Sequence, residues 1–159
     1  MSMEEPAEVC EFLNIEVEKC VELGSFLKVV DFFKCIDCET CSVVCEFTHG
    51  KSYVKMLKSK IGVEKPVSCF HCEDAPCVKV CKKDAIIRKE DGGLYIIPSK
   101  CNKCLDCIHA CPFKAIRLGG PGGAPGKCDL CEQLRSEGLE PACIAMCPSN
   151  VIKVKKFKS

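Results

Sequence analysis

Tryptophan is absent from the 159-residue chain, and aromatic residues make up only 6% of it. The longest stretch without a charged residue, residues 141–152, is too short to span a bilayer. Residues 1–11 are acidic and lack the basic start and apolar centre of a secretion signal. These absences predict a cytoplasmic protein with no direct membrane span.

Cysteine is abundant instead, with 18 residues in the chain. A content this high is typical either of a disulfide-stapled secreted scaffold or of a protein that binds many metal ions. In a reducing compartment, clustered cysteines bind metal or take part in catalysis and rarely form disulfides. Because the aliphatic core is thin for this length, we expect metal coordination to hold much of the fold together.

Sixteen cysteines form four groups of four, here called quartets 1 to 4. Quartets 1 and 3 share the spacing C-x2-C-x2-C-x3-C and consist of Cys35, Cys38, Cys41, Cys45 and of Cys101, Cys104, Cys107, Cys111. Quartet 2, with the spacing C-x2-C-x4-C-x3-C, is Cys69, Cys72, Cys77, Cys81. Quartet 4, with the spacing C-x2-C-x11-C-x3-C, is Cys128, Cys131, Cys143, Cys147. Cys10 and Cys20 remain outside, and we expect them to be small buried hydrophobic residues.

The spacing within the quartets favours iron–sulfur chemistry. Three cysteines at positions i, i+3 and i+6 surround one face of a 4Fe–4S cluster, and the fourth reaches a second cluster. Backbone amides of such a loop point at sulfur atoms and offset their negative charge. A zinc ribbon uses two C-x-x-C pairs and has no role for the third close cysteine. A zinc protein with an interaction role therefore stays the weaker alternative.

Only short elements fit between the quartets. The pattern predicts a hairpin of residues 85–89 and 94–98, strands at 26–33 and 151–154, helices at 41–47 and 107–113, and an N-terminal helix at 8–23. The glycine-rich residues 119–126 are expected to form a turn-rich connection.

From residue 26 to residue 154 the chain resembles the four-cluster iron–sulfur subunits that accompany dimethyl sulfoxide reductase-type, formate dehydrogenase-type and tungsten aldehyde oxidoreductases. The resemblance rests on KCIDCETCSVVC at 34–45, CFHCEDAPCVKVC at 69–81, KCNKCLDCIHACPFKAI at 100–116, KCDLC at 127–131 and PACIAMCPSNVI at 141–152. The x4 gap of quartet 2 and the x11 gap of quartet 4 are specific to that group. Small partners of carbon monoxide dehydrogenases share the pattern.

The resemblance implies an α+β fold of two pseudo-symmetric, two-cluster ferredoxin-like lobes with short strands, short helices and long cluster-binding loops. The first lobe would comprise residues 26–48 and 120–159, with quartets 1 and 4. The second would comprise residues 66–119, with quartets 2 and 3. Residues 49–65 would be a connector and residues 1–25 an N-terminal extension, predicted to be helical.

The resemblance also implies that the quartets of one lobe exchange their fourth cysteines. Cluster 1 would then be held by Cys35, Cys38, Cys41 and Cys147, and cluster 2 by Cys128, Cys131, Cys143 and Cys45. Cluster 3 would be held by Cys69, Cys72, Cys77 and Cys111, and cluster 4 by Cys101, Cys104, Cys107 and Cys81. Lys82 follows Cys81 where relatives commonly have proline, which makes the backbone after Cys81 hard to predict.

With a full set of ligands for each of four 4Fe–4S clusters, no iron is left open for chemistry, and we expect no room for a substrate pocket. We therefore expect a non-catalytic electron-transfer component. The resemblance implies a larger catalytic oxidoreductase subunit, most readily of molybdenum or tungsten type, and a soluble redox carrier such as a ferredoxin. Alternatives are a free polyferredoxin carrier, or an electron-transfer partner of a carbon monoxide dehydrogenase or hydrogenase.

Charge and the remaining polar residues add two expectations. Four clusters would change the formal charge from +1 to about −7, which argues against nucleic acid as a partner. Lysines next to predicted ligands could offset part of that charge, although each could equally be an ordinary surface residue: Lys34, Lys100, Lys103 and Lys127. The three histidines, His49, His71 and His109, are expected to pack against clusters or donate hydrogen bonds to sulfur or backbone.

Overall fold

The computed structural model describes residues 6–155, so residues 1–5 of the predicted extension and residues 156–159 of the predicted first lobe lie outside the described residues. The helices are α1 Pro6–Phe12, α2 Val17–Val21, α3 Thr40–His49, α4 Pro76–Val80, α5 Asp106–Ala110, α6 Glu132–Ser136 and α7 Ala142–Ala145. The strands are β1 Lys28–Val30, β2 Lys55–Lys58, β3 Glu64–Val67, β4 Ile86–Arg88, β5 Leu94–Ile96 and β6 Ile152–Val154. Short 3-10 turns cover Pro98–Lys100 and Pro121–Gly123.

The strands form three antiparallel pairs. β1 pairs with β6, so that Lys28 lies opposite Val154, and β4 pairs with β5, as predicted for this hairpin. β2 pairs with β3 across the turn that contains Gly62. The segment 49–65, predicted only as a connector, therefore supplies most of a hairpin.

The pairing of elements follows the quartets. Helix α3, which carries part of quartet 1, packs against α7 of quartet 4, and β1 lies beside β6. Helix α4 of quartet 2 packs against α5 of quartet 3, next to the β4–β5 hairpin. The fold is thus α+β with short elements, as the sequence predicts. No helix within residues 6–155 has the length and apolar character needed to cross a membrane.

Three phenylalanines form the aromatic centre of the core. Phe26 and Phe70 stack with ring centroids 4.7 Å apart, and Phe113 meets Phe70 edge-on, also at 4.7 Å. All three side chains are buried. They come from the segment before β1, from quartet 2 and from the turn after quartet 3, so their contacts join loops that have little regular structure of their own.

The N-terminal segment differs from the prediction. The prediction of a single helix over residues 8–23 is wrong, because the helix is interrupted between α1 and α2 at Asn14, whose φ is 58°. Asn14 donates its amide to the carbonyl of Glu11 and Ile15 donates to that of Cys10, which is the Schellman closure of a helix end. Cys10 and Cys20 are fully buried, as predicted, but a disulfide joins them and ties α1 to α2.

Candidate metal centres

Two cavities are each lined by four cysteines from two quartets. In the first, three cysteines of quartet 1 meet one of quartet 4, namely Cys35, Cys38, Cys41 and Cys147. In the second, three cysteines of quartet 3 meet one of quartet 2, namely Cys101, Cys104, Cys107 and Cys81. Residues far apart in the chain therefore share one space.

The remaining eight cysteines lie in two further groups, recognised by the electrostatic influence of one thiol on another. Cys128 and Cys143 act both on Cys45 and on Cys131. Cys69, Cys111 and Cys77 act in the same way on Cys72. The structure thus places eight quartet cysteines around two shared cavities, and electrostatic influence links the other eight in two sets, one of which also acts on Cys41 through Cys143. The ligand set of each cluster stays a prediction.

Short helices place the last two cysteines of each quartet. In α3, Cys41 and Cys45 lie four residues apart and therefore one turn apart on the same face. Cys143 lies within α7 and Cys147 follows it, while Cys77 in α4 and Cys107 in α5 are each followed by the fourth cysteine of their quartet. Because one turn advances about 5.4 Å, the two thiols of each pair can serve neighbouring sites.

The first C-x-x-C of every quartet makes the same turn. The residue two positions after the first cysteine has a left-handed conformation in all four quartets: Asp37, His71, Lys103 and Leu130, with φ between 51° and 60°. This turn aims the amide of that residue at the first thiol, at 3.4 Å for Cys69, 3.3 Å for Cys101 and 3.4 Å for Cys128. At Cys35 the amide of Asp37 acts in the same way. Successive amides aimed at one point form an anion-binding nest.

A second recurring turn follows the fourth cysteine. Asp84, Lys114 and Asn150, each three residues after such a cysteine, are also left-handed. The next amide then donates to the thiol, from Ala85 to Cys81 at 3.3 Å and from Ala115 to Cys111 at 3.5 Å. Cys81 and Cys111 therefore have the same local geometry, and the lysine that follows Cys81 keeps the turn that proline makes after Cys111.

Three buried thiols resist ionisation when no cation is bound. Burial, followed by the influence of neighbouring thiols, raises the pKa of Cys41 to about 11 and that of Cys77 to about 12. Burial is also the largest cause that raises the pKa of Cys131 to about 11. A bound metal reverses this, because a coordinating thiol is deprotonated outright. The cysteine donors and the amide–sulfur contacts in all four quartets fit iron–sulfur clusters, and two of the groups line a shared cavity.

Two buried lysines lie beside quartet cysteines. Lys65 donates to the carbonyl of Cys35 at 2.9 Å and to Asp37 at 2.7 Å. Lys127 is buried and donates to the carbonyls of Leu94 and Cys128. Of the lysines beside predicted ligands, Lys127 is the buried one, whereas Lys34, Lys100 and Lys103 are exposed.

Sequence reasoning missed Lys28, which is not adjacent to any cysteine in the chain. Its side chain is 2% exposed, and its Nζ donates to Ser68 Oγ at 2.7 Å and to Cys128 Sγ at 3.6 Å. Burial acts to lower the pKa of Lys28, but the thiols of Cys128, Cys143 and Cys45 outweigh it and raise the pKa. The one sequence feature that could have indicated this role is the position of a lysine inside the apolar run 26–30, which includes the buried strand β1.

The histidines take different positions. His49 lies with Nε2 at 3.3 Å from Cys131 Sγ, within reach of a hydrogen bond to sulfur. His71 accepts the amide of Leu94 at Nδ1, at 2.8 Å, which leaves the proton on Nε2. That buried Nε2 has no hydrogen-bond partner within residues 6–155, and burial, followed by nearby cations, lowers the pKa of His71. A buried N–H beside Cys69 and Cys72 fits a sulfur acceptor of a bound cluster. His109 lines an open cleft.

Open clefts lie outside the four groups. The cleft beside His109, about 470 Å³, is lined by charged residues that include Glu22, Asp74, Lys79 and Lys114. A second cleft of about 320 Å³ contains His49, Tyr53 and Tyr95. Both clefts are open to the surface, and the absence of a substrate pocket stays a prediction. Within the described residues, no three His, Cys, Asp or Glu side chains are arranged to hold a single metal ion.

Comparison with known proteins agrees with this geometry. The profile of a family described as a 4Fe-4S dicluster domain matches residues 63–157. The thiosulfate reductase electron transfer subunit PhsB of Salmonella typhi is 33% identical over 145 residues, 82% of this chain and 75% of the relative. The formate dehydrogenase iron-sulfur subunit of Wolinella succinogenes is 32% identical over 153 residues, 77% of this chain and 76% of the relative. The electron transport protein HydN of Escherichia coli is 32% identical over 152 residues, 78% of this chain and 84% of the relative.

Proposed function

The chain belongs to the 4Fe–4S dicluster family, and from that premise we propose that it is a non-catalytic electron-transfer subunit with four 4Fe–4S clusters. It relays single electrons between a larger catalytic oxidoreductase subunit, of molybdenum or tungsten type, and a soluble redox carrier. The observation that carries the proposal is that two cavities are each lined by four cysteines from two different quartets. A bound 4Fe–4S cluster supplies one-electron redox chemistry without taking up a substrate.

In this proposal each group of cysteines holds one cluster. The ligands are Cys35, Cys38, Cys41 and Cys147 for cluster 1, Cys45, Cys128, Cys131 and Cys143 for cluster 2, Cys69, Cys72, Cys77 and Cys111 for cluster 3, and Cys81, Cys101, Cys104 and Cys107 for cluster 4. The α3–α7 and α4–α5 pairs are then the centres of two pseudo-symmetric lobes, each with its own strand pair.

The exposure of the thiols supports an order for the path. Cys38, a proposed ligand of cluster 1, and Cys104, a proposed ligand of cluster 4, are exposed, whereas the other ligands are buried or half-buried. Lys28 connects the group of cluster 2 to the chain segment that leads into the group of cluster 3, because it contacts both Cys128 and Ser68, the neighbour of Cys69. Electrons would therefore enter and leave near Cys38 and Cys104 and pass through the two inner groups.

Metal and sulfide analysis tests the proposal directly. Protein purified without oxygen should contain about sixteen irons and about sixteen acid-labile sulfides per chain and absorb broadly near 400 nm. Colourless protein that contains zinc would overturn the proposal and support the zinc alternative.

Paired substitutions test the exchange of fourth cysteines. Cys147→Ala alone should lower the iron content to about twelve per chain, because one cluster is lost. Adding Cys38→Ala should leave about twelve, since both residues serve cluster 1, whereas adding Cys131→Ala should leave about eight. If each quartet instead binds its own cluster, the two double variants will give the opposite result.

The free carrier is the second candidate, because HydN, a relative of similar length, is named as an electron transport protein. Size-exclusion chromatography of a native extract separates the two candidates. Elution with a larger chain that contains molybdenum or tungsten supports the subunit, and elution of the chain by itself supports the carrier. The cytoplasmic location stays a prediction, to be tested by fractionation of the same cells.

A further inference from the structure

A buried lysine, Lys28, contacts Cys128, a proposed ligand of cluster 2, and Ser68, the residue before Cys69. Lys28 is in β1, whose three residues are all buried. Its ammonium group contacts Cys128 in quartet 4 on one side and Ser68, next to quartet 2, on the other. The amides of Leu27 and Lys28 both donate to the carbonyl of Phe70, at 3.0 Å and 3.1 Å, which fixes this strand against quartet 2.

The compensating charge for Lys28 must come from sulfur. A buried ammonium group is strongly destabilising unless an opposite charge lies close by. Within residues 6–155 no carboxylate forms an ion pair with Lys28. The sulfur atoms that act on it are those of Cys45, Cys128 and Cys143, all in the group proposed to hold cluster 2, and they would carry negative charge as ligands of that cluster. Lys65 differs, because it is paired with the carboxylate of Asp37 at 2.7 Å.

On the basis of the proposed function, we propose that Lys28 is a positioning residue that raises the reduction potential of the cluster held by Cys45, Cys128, Cys131 and Cys143. Reduction adds one electron, supplied by an adjacent cluster that is oxidised by one electron, to a site that already carries about two negative charges. A fixed positive charge stabilises the more negative, reduced form. Lys28 would thus favour the reduced state of the cluster held by Cys45, Cys128, Cys131 and Cys143, which lies midway along the proposed path.

The size of the effect follows from the burial of the charge. At a separation of several ångströms and an effective dielectric constant of about 20, one unit of charge changes a one-electron equilibrium by about tenfold or more. Tenfold corresponds to about 59 mV for a one-electron couple. An exposed lysine at a similar distance has a smaller effect, because water and salt screen it.

Redox titration of the anaerobic holoprotein, followed by electron paramagnetic resonance, measures this shift. Lys28→Gln removes the charge and keeps a hydrogen-bond donor for Ser68, and Lys28→Met removes both. Lys28→Arg keeps the charge. Lys34→Met is the matched control, because Lys34 is next to Cys35 but its side chain is 76% exposed. Iron analysis of each variant first establishes that the four clusters are present.

We expect Lys28→Gln to lower one of the four midpoint potentials by about 59 mV or more, and Lys28→Arg to keep most of that potential. Lys34→Met should leave all four within a small fraction of that shift. If Lys28→Met fails to assemble, Lys28→Gln still carries the test. Unchanged midpoints in Lys28→Gln, or an equal shift in Lys34→Met, would overturn the inference and leave the proposed function standing. Wild-type protein without four clusters would instead overturn the proposed function itself.

Discussion

Replacement of Phe113 by alanine should lower the free energy of unfolding by about 3–5 kcal/mol, the usual cost of removing a buried aromatic ring. The ring is 1% exposed, and its centroid lies 4.7 Å from that of Phe70 and 5.7 Å from that of Phe26. The variant would lose both aromatic contacts and leave a cavity that short loops on three sides fill poorly. For a chain of this size, the loss corresponds to a melting temperature about 6–20 °C lower.

Phe47 provides the matched control, because its side chain is 93% exposed at the surface of α3. Phe47→Ala should change stability by less than about 0.5 kcal/mol. Both variants are compared with the wild type as anaerobic holoproteins, by circular dichroism at one heating rate and after iron analysis. Equal shifts for the two variants, or a loss below about 1 kcal/mol for Phe113→Ala, would refute the view that this aromatic cluster stabilises the core.

Three further predictions concern the disulfide, a close backbone contact and the metal. Cys20→Ala should lower the free energy of unfolding by about 3 kcal/mol, because the Cys10–Cys20 bond closes a loop of ten residues. A strong reductant should destabilise the wild type equally, and an unchanged melting temperature in both experiments would contradict this prediction. Gly120→Ala should lower the free energy of unfolding by more than about 1 kcal/mol, because the new Cβ would lie 2.6 Å from the backbone of Gly126. A melting temperature equal to that of the wild type would show that the two segments can move apart without loss of stability. Removal of iron with a chelator under reducing conditions should abolish most far-ultraviolet dichroism, and iron with sulfide should restore it; retained dichroism would show that packing alone maintains the fold.

The parts of the fold that the sequence predicts are those with a local cause. The β4–β5 hairpin depends on the glycine turn at 92–93, and the position of α3 follows from the spacing within quartet 1. The repeated left-handed turns at Asp37, His71, Lys103 and Leu130 are also local, yet the sequence does not predict them, because none of these residues is glycine. Each such residue costs about 1–2 kcal/mol, which the amide–sulfur contacts offset.

Other features depend on geometry that the sequence pattern conceals. The disulfide between Cys10 and Cys20 and the helix break at Asn14 are hidden by the apolar spacing of residues 8–23, which is compatible with one continuous helix. The β2–β3 hairpin is hidden because its strands are rich in lysine and contain Pro66.

The site shows the same limit. Adjacency to a cysteine draws attention to Lys34, Lys100, Lys103 and Lys127, of which Lys127 is buried. Lys28 contacts the thiol of a cysteine 100 positions away, a separation that no local pattern reveals.

The order along the chain of the elements that pack together has a consequence for synthesis on the ribosome. Helices α4 and α5 and the β4–β5 hairpin come from one continuous stretch of chain, so they can pack as soon as that stretch emerges. Helix α3 and strand β1 are made earlier but must wait for α7 and β6, which are translated last. With the ligand sets proposed above, the middle of the polypeptide would be able to receive its cofactors first, and the thiols of quartet 1 would have to stay reduced and free of other metals until translation is nearly finished.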